Sequence, residues 1–280
     1  MSQKQNLHNN RTFLSPAKIN LFLHILARRD DGYHDLQTAF QFLDYCDKLS
    51  FSINNSGDIL RVDDGTKYDN DLILQAANLL QKESKVTLGA DIHLQKIIPE
   101  GGGLGGGSSN AATTMLALNS LWSINFEIDK LCDLGLQLGA DVPVFIRGFA
   151  AMAEGVGEIL TPIYPSELWY LVIDTGEKVS TKRIFNAKEL TRNSSRLKIP
   201  NLDDGRNDCI EVVIKLFPQI KQALSWLNNY AKAKLTGTGA CVFARFDDQN
   251  SAQNVLQKLP NKWQGFIAKG VNKSPLYQDF

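Results

Sequence analysis

The sequence predicts an α+β protein with two domains. Its 280 residues exceed the ~100–200 residues of one ordinary domain. Forty-three per cent of the residues are hydrophobic, which is enough apolar material for a core. Strand-like and helix-like segments follow one another without an internal repeat. We place the boundary near residue 160, around Pro162 and Pro165, which gives domains at 1–160 and 161–280.

The first domain is predicted to mix strands and helices. Apolar residues at i, i+3 and i+4 indicate a helix, and alternating or continuous apolar runs indicate a strand. In order, the predicted elements are a strand at 17–26, a polar turn at 30–31, a helix at 70–83, a strand at 90–98, helices at about 111–122 and 129–138, and a helix that begins at Asp141. Asp141 is typical of an N-cap, and Pro143 fits the first helical turn.

In the second domain, predicted strands and predicted helices alternate more regularly. Its elements are a strand at 168–174, an amphipathic helix at 220–230, a strand region at 234–246, a short helix at 249–259 and a strand at 265–271. This order indicates one sheet layer covered by one helix layer.

The charge and the cysteine pattern exclude several classes of protein. Thirty basic and thirty acidic residues leave no net field for nucleic acid or an anionic membrane. The longest apolar runs fall far short of the ~20 residues of a membrane-spanning helix, and the polar first residues do not resemble a secretory signal. The four cysteines and four histidines lack disulfide or metal-binding spacing. We expect a cytoplasmic monomer or homodimer without nucleic-acid or membrane partners.

The most unusual segment has six glycines in seven positions, from Gly101 to Gly107, between a predicted strand and a predicted helix. Glycine permits positive φ and close backbone approach, so that consecutive N–H groups can converge on an anion. The helix that follows adds free N–H groups and its positive dipole end. Ser108 and Ser109 offer hydroxyls for phosphate or for Mg²⁺ bound to it. The segment predicts a polyphosphate-binding turn, with a flexible linker as the alternative.

Two common nucleotide-binding motifs fit this segment poorly. A Walker A motif would need lysine where Ser108 stands, after Gly107. A dinucleotide fingerprint fits three of the glycines, but no clear strand leads to Glu127, the acid that would hold the ribose. An oxidoreductase is therefore disfavoured.

Three segments together resemble the GHMP kinase superfamily, which includes galactokinase, homoserine kinase, mevalonate kinase and phosphomevalonate kinase. Pro99–Ala112 (PEGGGLGGGSSNAA) resembles its second motif, Ser15–Leu21 (SPAKINL) its first, and Leu235–Phe243 (LTGTGACVF) its third. The resemblance implies an N-terminal domain like domain 2 of ribosomal protein S5 and a ferredoxin-like C-terminal domain. It also implies ATP as phosphoryl donor, with Mg²⁺ accompanying the ATP and no protein residue assigned to the metal.

Further details resemble one family within this superfamily. They are the extended first motif PAKINLFL, Asp31–Thr38 (DGYHDLQT) and Leu138–Phe145 (LGADVPVF). Members of that family phosphorylate the 2-hydroxyl of a cytidine-diphosphate-linked methylerythritol, in the non-mevalonate route to isoprenoids. In total the resemblance runs from about Ser15 to Val271.

The resemblance also implies site residues. The catalytic residues are Lys18 and Asp141. The implied ATP-binding residues are Pro99, Glu100, Gly101, Gly102, Gly103, Leu104, Gly105, Gly106, Gly107, Ser108 and Ser109. The implied substrate-binding residues are Asn20, Tyr33, His34, Phe185, Gly237, Thr238 and Gly239. Tyr33 and Phe185 would stack on the cytosine, and His34 would read its polar edge.

Residue types alone leave structural alternatives open. Asp141 is equally typical of an N-cap, Lys18 of a solvent-exposed strand edge, and Phe185 of the second core. Tyr33 and His34 could form a surface turn, Asn20 could be a buried structural amide, and residues 237–239 could be a bulge.

Two functional alternatives also remain. The chain could be another GHMP kinase acting on homoserine, mevalonate or a sugar, or a nucleotide-binding regulator without turnover. Asp71 stands where relatives usually carry an amide near the adenine, which puts one nucleotide contact in doubt. Residues 192–206 carry no readable motif.

Overall fold

The computed structural model describes residues 11–62, 71–197 and 205–278. Within these residues the chain forms ten strands and eight α-helices. The strands are β1 (Arg11–Arg28), β2 (His34–Asn54), β3 (Ile59–Arg61), β4 (Gly89–Gln95), β5 (Ala151–Gly155), β6 (Ile159–Pro162), β7 (Trp169–Asp174), β8 (Ala233–Leu235), β9 (Val242–Phe246) and β10 (Gln264–Val271). The helices are α1 (Leu72–Ser84), α2 (Gly106–Leu121), α3 (Ile128–Leu136), α4 (Val142–Arg147), α5 (Thr181–Phe185), α6 (Ile210–Leu216), α7 (Pro218–Leu227) and α8 (Gln249–Leu256). The polar leader lies almost wholly outside the described residues.

The sheet is organised around β2, a strand of 21 residues. β2 pairs antiparallel with β1, β4, β5 and β10. β10 pairs along its length with β7, and at its end with β2 through Gly270 opposite Leu43 and Val271 opposite Phe42. Seven of the described strands thus run in the order β3-β4-β2-β10-β7-β9-β8, and β10 joins the two halves of the chain into one sheet. β1 and β5 pair with β2 outside this order, and β6 pairs with β5.

Helices cover the sheet with separate buried clusters in the two halves. In the first half, residues of α1, α2 and α4 pack with strand residues such as Phe42 and Phe51. In the second half, apolar residues of α6, α7 and α8 pack with those of β7 and β9. The predicted α+β arrangement of sheet and helix layers is confirmed. None of the described helices is long and apolar enough to cross a membrane.

α1 shows how local sequence sets an element boundary next to the site. Asp71 precedes the helix, and its carboxylate accepts hydrogen bonds from the N–H groups of Ile73 (2.8 Å) and Leu74 (3.4 Å). This contact satisfies N–H groups that have no acceptor inside the helix. The helix ends at Lys85, which adopts left-handed backbone angles. The buried face of α1 packs on the sheet and so fixes where its first turn lies.

α2 is the central helix of the first half and follows the glycine-rich segment. Its buried residues extend almost around its circumference, as expected for a helix enclosed by other elements. Gly105 precedes it with a φ of 71°, so the chain enters the helix through a left-handed residue. The packing of α2 therefore holds the end of the glycine-rich segment in a fixed place.

Candidate active site

A cavity of about 1100 Å³ lies between the two halves of the chain. Its walls come from β1, the start of β2, the glycine-rich segment and the turn before α4 in the first half. The second half contributes α5 and residues 237–238. Every residue of the sequence-predicted site lines this cavity except Ser109 and Gly239.

The glycine-rich segment is held in place by backbone hydrogen bonds from two other parts of the chain. The N–H of Lys18 donates to the carbonyl of Leu104 (2.9 Å), and the N–H of Cys241 donates to that of Gly102 (3.0 Å). Gly103 has a φ of 76°, and a Cβ there would lie 2.2 Å from the carbonyl oxygen of Thr236. The segment is therefore a fixed turn, and at Gly103 it leaves no room for a side chain, which argues against a flexible linker.

The first turn of α2 faces the cavity. The N–H of Ser109 donates to the carbonyl of Gly105 (2.8 Å), so the N–H groups of Gly106, Gly107 and Ser108 precede the first hydrogen bond of the helix. Free N–H groups at a helix N-terminus form a site for anions. Ser109 itself is buried, and its hydroxyl is bonded to the Ser15 hydroxyl at 2.8 Å, away from the cavity.

Lys18 is the buried cation of the cavity. Its ammonium donates to the side-chain oxygen of Asn20 (2.7 Å) and the carbonyl of Gly103 (3.1 Å). It also lies 3.2 Å from the carboxylate of Asp141 and 5.1 Å from the ring centroid of Phe40. An ammonium has three donors, and here three acceptors surround it. The alternative of a solvent-exposed lysine is excluded, because Lys18 is only 3% exposed.

A short hydrogen-bond chain orients the Asn20 amide. Its nitrogen donates to the hydroxyl of Thr38 at 2.9 Å, and that hydroxyl donates to the carbonyl of Phe22. The amide oxygen therefore faces Lys18. Register shifts in the pairing of β1 with β2 lie on both sides of this segment, between Pro16 and Lys18 and between Asn20 and Phe22. Such bulges redirect side chains beside functional sites.

Asp141 stands at the N-cap position of α4, but its side chain makes no capping hydrogen bond. Its backbone is already helical, with φ −83° and ψ −13°. The carboxylate is about one-third exposed and pairs with Lys18 instead. Asp141 therefore occupies the predicted N-cap position, but its side chain does not cap the helix.

The third motif lies directly beside the glycine-rich segment. The hydroxyl of Thr236 donates to the carbonyl of Gly103 at 3.0 Å, and a Cβ on Gly237 would lie 3.4 Å from the Cα of Gly103. The hydroxyls of Thr238 and Thr181 are 3.1 Å apart. Gly239 lies behind this turn, next to apolar side chains rather than the cavity.

At the other end of the cavity, three rings come from two elements. Tyr33 ends an exposed turn and is 64% exposed, whereas His34 is buried at the first position of β2. The half-buried Phe185 ends α5, and its ring centroid lies 5.2 Å from that of His34 at an interplanar angle of 32°. An exposed ring and a half-buried ring that line the same end of a cavity are suited to binding a planar base.

The structure adds Arg192 to this end of the cavity, from a segment in which the sequence shows no motif. Its guanidinium donates to the Nε2 atom of His34 (3.1 Å) and to the carbonyls of Phe185 (3.0 Å), Ala187 (2.7 Å) and Leu190 (3.2 Å). Burial first, and then the charges of Arg192 and Arg28, lower the pKa of His34 below its usual value. Both effects favour the uncharged form of the imidazole.

Two ion pairs at the far side of the glycine-rich segment were also missed from sequence. The Lys96 ammonium lines the cavity and lies 2.7 Å from the carboxylate of the fully buried Asp47. Arg61 pairs with Asp71 at 2.6 Å, and both side chains are about one-tenth exposed. The capping and pairing contacts of Asp71 give its carboxylate a structural role.

Known proteins with similar sequences and structures show to which family the chain belongs. Residues 71–149 match the GHMP kinases N terminal domain, and residues 187–265 match the GHMP kinases C terminal domain. The 4-diphosphocytidyl-2-C-methyl-D-erythritol kinase of Shewanella denitrificans is 54% identical over 96% of this chain and 96% of its own length. The enzyme of the same name from Pseudomonas fluorescens is 52% identical over 95% and 96%.

Solved structures agree with the sequence matches. The crystal structure of a 4-(cytidine 5'-diphospho)-2C-methyl-D-erythritol kinase superposes with a TM-score of 0.82 and 28% identity, covering 93% of this chain and 99% of that one. A mevalonate kinase structure, 18% identical with a TM-score of 0.71, covers 94% of this chain and all of its own, and shares the fold. These matches confirm the resemblance that the three motifs indicated. The chain therefore belongs to the 4-diphosphocytidyl-2-C-methyl-D-erythritol kinase family of the GHMP kinases.

Proposed function

We propose that this protein transfers the γ-phosphoryl group of ATP to the 2-hydroxyl of 4-diphosphocytidyl-2-C-methyl-D-erythritol, in the non-mevalonate route to isoprenoids. One observation carries the proposal: a single cavity contains the glycine-rich turn, the Lys18–Asp141 pair and the rings at the His34 end. The names and the near-complete coverage of relatives above 50% identity support the choice of substrate.

ATP binding rests on the glycine-rich turn. The free N–H groups at the start of α2 and the positive end of its dipole favour the phosphates. Lys96 adds a cation beside this turn, since a Cβ on Gly106 would lie 3.0 Å from its ammonium. The phosphates would thus be directed along the turn toward Lys18.

The chemistry rests on Lys18 and Asp141. Phosphoryl transfer is catalysed mainly by positioning and by stabilising charge. The partly exposed Asp141 carboxylate is the group that accepts the proton of the attacking hydroxyl. Lys18, fixed by Asn20 and Gly103, supplies positive charge where the transferring group and the attacking oxygen meet.

The residues present also fit the Mg²⁺ that accompanies ATP. Mg²⁺ prefers oxygen ligands and is commonly held by one or two carboxylates together with substrate phosphates and water. Within the described residues, no group of three or more His, Cys, Asp and Glu residues is suited to a metal. The Ser108 hydroxyl, which lines the cavity at the start of α2, would hold the ion together with phosphate oxygens and water. Bound there, Mg²⁺ neutralises charge on the phosphates.

The acceptor would bind with its cytosine at the Tyr33–Phe185 end and its 2-hydroxyl near Asp141. Stacking between aromatic rings is worth about 1–3 kcal/mol per base. A kinase for homoserine, mevalonate or a sugar has no need of such a base-binding end. A regulator without turnover has no need of the paired lysine and carboxylate.

A coupled assay of ADP release tests the proposal. We expect release with Mg·ATP only when 4-diphosphocytidyl-2-C-methyl-D-erythritol is present, with phosphorus-31 spectra showing a phosphomonoester on the 2-hydroxyl. Release with homoserine, mevalonate or a sugar instead would retain the kinase and reject the substrate. No release with any acceptor would favour the regulator.

We also propose a domain boundary near residue 160, a cytoplasmic location and a monomer or homodimer. The two family matches, at 71–149 and 187–265, lie on either side of that boundary and support it. Limited proteolysis and sedimentation would test the boundary and the oligomeric state.

A further inference from the structure

Arg192 connects the two elements that form the base-binding end of the cavity. It lies beyond α5 in sequence, and its guanidinium reaches the last residue of α5 through the carbonyl of Phe185. The same guanidinium reaches the first residue of β2 through His34 Nε2. Carbonyls of Ala187 and Leu190 hold the guanidinium itself. Four hydrogen bonds to fixed acceptors leave Arg192 little freedom to turn away.

The contact determines which nitrogen of His34 carries the proton. A guanidinium is always charged and has donors only. The His34 Nε2 atom must therefore be an acceptor, without a proton, and the neutral ring then carries its proton on Nδ1. His34 is 6% exposed and lines the cavity. Nδ1 has no hydrogen-bond partner within residues 11–62, 71–197 and 205–278, and it is not among the fully enclosed atoms.

We propose that Arg192 is a positioning residue for pyrimidine recognition, because it holds the His34 proton on Nδ1 and so presents a donor to the cavity. A donor at this place matches the acceptor atoms O2 and N3 on the edge of cytosine. It offers nothing to the amino group at position 4, which is itself a donor. The proposal rests on the proposed function for the identity of the ligand, but the tautomer is a property of the protein alone.

The lowered pKa of His34 agrees with this arrangement without carrying it. Arg192 and Arg28 are the two charged groups that act on the ring, and both disfavour a second proton. Protonation at Nε2 would also turn an acceptor into a donor that faces the donors of Arg192. The neutral Nδ1–H form is thus favoured by geometry and by charge.

The first test observes the tautomer directly. Nitrogen-15 spectra of the full-length protein, labelled at histidine, distinguish a protonated ring nitrogen from a bare one. The His34 signal is assigned by its loss in His34→Asn. We expect a protonated Nδ1 and a bare Nε2 at pH 7 without ligand. A proton on Nε2, or on both nitrogens, would overturn the proposal even if no Arg192 variant folds.

The second test measures kinetics with a matched control. Arg192→Met should raise KM for the cytidine substrate about tenfold or more, from the loss of a charged hydrogen bond, and leave KM for ATP within about twofold. Arg196→Met is the control, because Arg196 belongs to the same segment but pairs with Glu154 on the surface. It should change neither KM. If Arg192→Met raised KM for ATP as much as KM for the cytidine substrate, this would contradict a positioning role.

A double variant separates action through His34 from other effects. In the His34→Ala background, Arg192→Met should raise KM for the cytidine substrate no further. If the fold-increase in KM of the double variant equals the product of the increases of the two single variants, the proposal is overturned. Wild-type protein that shows the Nδ1 proton but turns over no cytidine substrate would refute the proposed function and the ligand, and the tautomer assignment would stand.

Discussion

The ammonium of Lys18 and the carboxylate of Asp141 lie 3.2 Å apart, although one residue belongs to β1 and the other precedes α4. Both side chains line the cavity, but that of Lys18 is 4% exposed and that of Asp141 is 34% exposed. The pair therefore has an inner cation and an outer carboxylate. This asymmetry suits a site where an acceptor hydroxyl approaches from the cavity.

Replacement of Asp141 by Asn should lower kcat by about 10²-fold or more, because the proton acceptor is lost while the shape is kept. The affinity for ATP, measured by calorimetry, should change little. Asp129→Asn is the control, since Asp129 is 81% exposed and pairs with Arg147 outside the cavity. A kcat near the wild-type value in Asp141→Asn would reject the assignment of the base.

Replacement of Gly105 by Ala should impair ATP turnover, because the added methyl group would displace Lys18. A Cβ at Gly105 would lie 3.0 Å from the Cε of Lys18 and 2.9 Å from the ring of Phe145, so the ammonium would be displaced. Gly176→Ala provides the control, because Gly176 has nearly the same φ (73° against 71°) and a Cβ there would have nothing within 4 Å. Both variants should lose about 1 kcal/mol of stability from backbone strain. Only Gly105→Ala should lose kcat/KM, and equal losses would contradict the steric explanation.

Replacement of Asp47 by Ala should destabilise the protein by about 3 kcal/mol in urea unfolding. The buried carboxylate accepts hydrogen bonds from the N–H groups of Ile97 (2.7 Å) and Ile98 (2.8 Å) and pairs with Lys96. The two N–H groups would lose their acceptor, and Lys96 would lose its ion pair and retain the carbonyl of Ile98 as an acceptor (2.6 Å). Glu189→Ala removes an exposed pair with Lys215 and should change the stability much less, because solvent screens that pair. A similar loss of unfolding free energy in the two variants would contradict the importance of burial.

KM for the cytidine substrate should depend on pH through His34. Its pKa lies below the usual 6.5, because of burial first and the two arginines second. KM should therefore stay constant from pH 8 down to about 6.5 and rise as the pH falls through the lowered pKa. The same group contributes stability that is fully present above about pH 6.5 and is lost as the pH falls.

In Arg192→Met one of the two cations is removed, so the pKa of His34 should move up toward its usual value. The rise in KM should then begin at a higher pH than in the wild type. A pH profile unchanged by Arg192→Met would show that the group titrating in KM is not His34.

Regular elements were predicted from sequence where apolar spacing is clear. The strands β1, β4, β7 and β10 and the helices α1, α2, α7 and α8 follow such spacing, and the structure confirms them. β3, β5, β6, α5 and α6 were not predicted, because short elements carry too few residues for a period to show. The 21-residue strand β2 was also not predicted, because long stretches of it are buried on both faces and show no simple alternation.

The candidate site was predicted through its motifs, and the residues outside motifs were missed. Lys18 and Asp141 stand in recognisable segments, whereas the partners of Arg192 are mainly backbone carbonyls, which leave no trace in a sequence. The Asp47–Lys96 pair joins two distant positions that neither composition nor periodicity connects. Long-range polar pairing is the part of the site that only the fold reveals.

The strand that joins both halves, β10, is the last in sequence of the described strands. During synthesis the first half can collapse around its own helices while residues 264–271 are still inside the ribosome. The edge of β2 at Phe42 and Leu43 then stays unpaired until β10 has emerged. Every residue that lines the cavity precedes β10 in sequence, so the cavity residues leave the ribosome before the strand that completes the sheet.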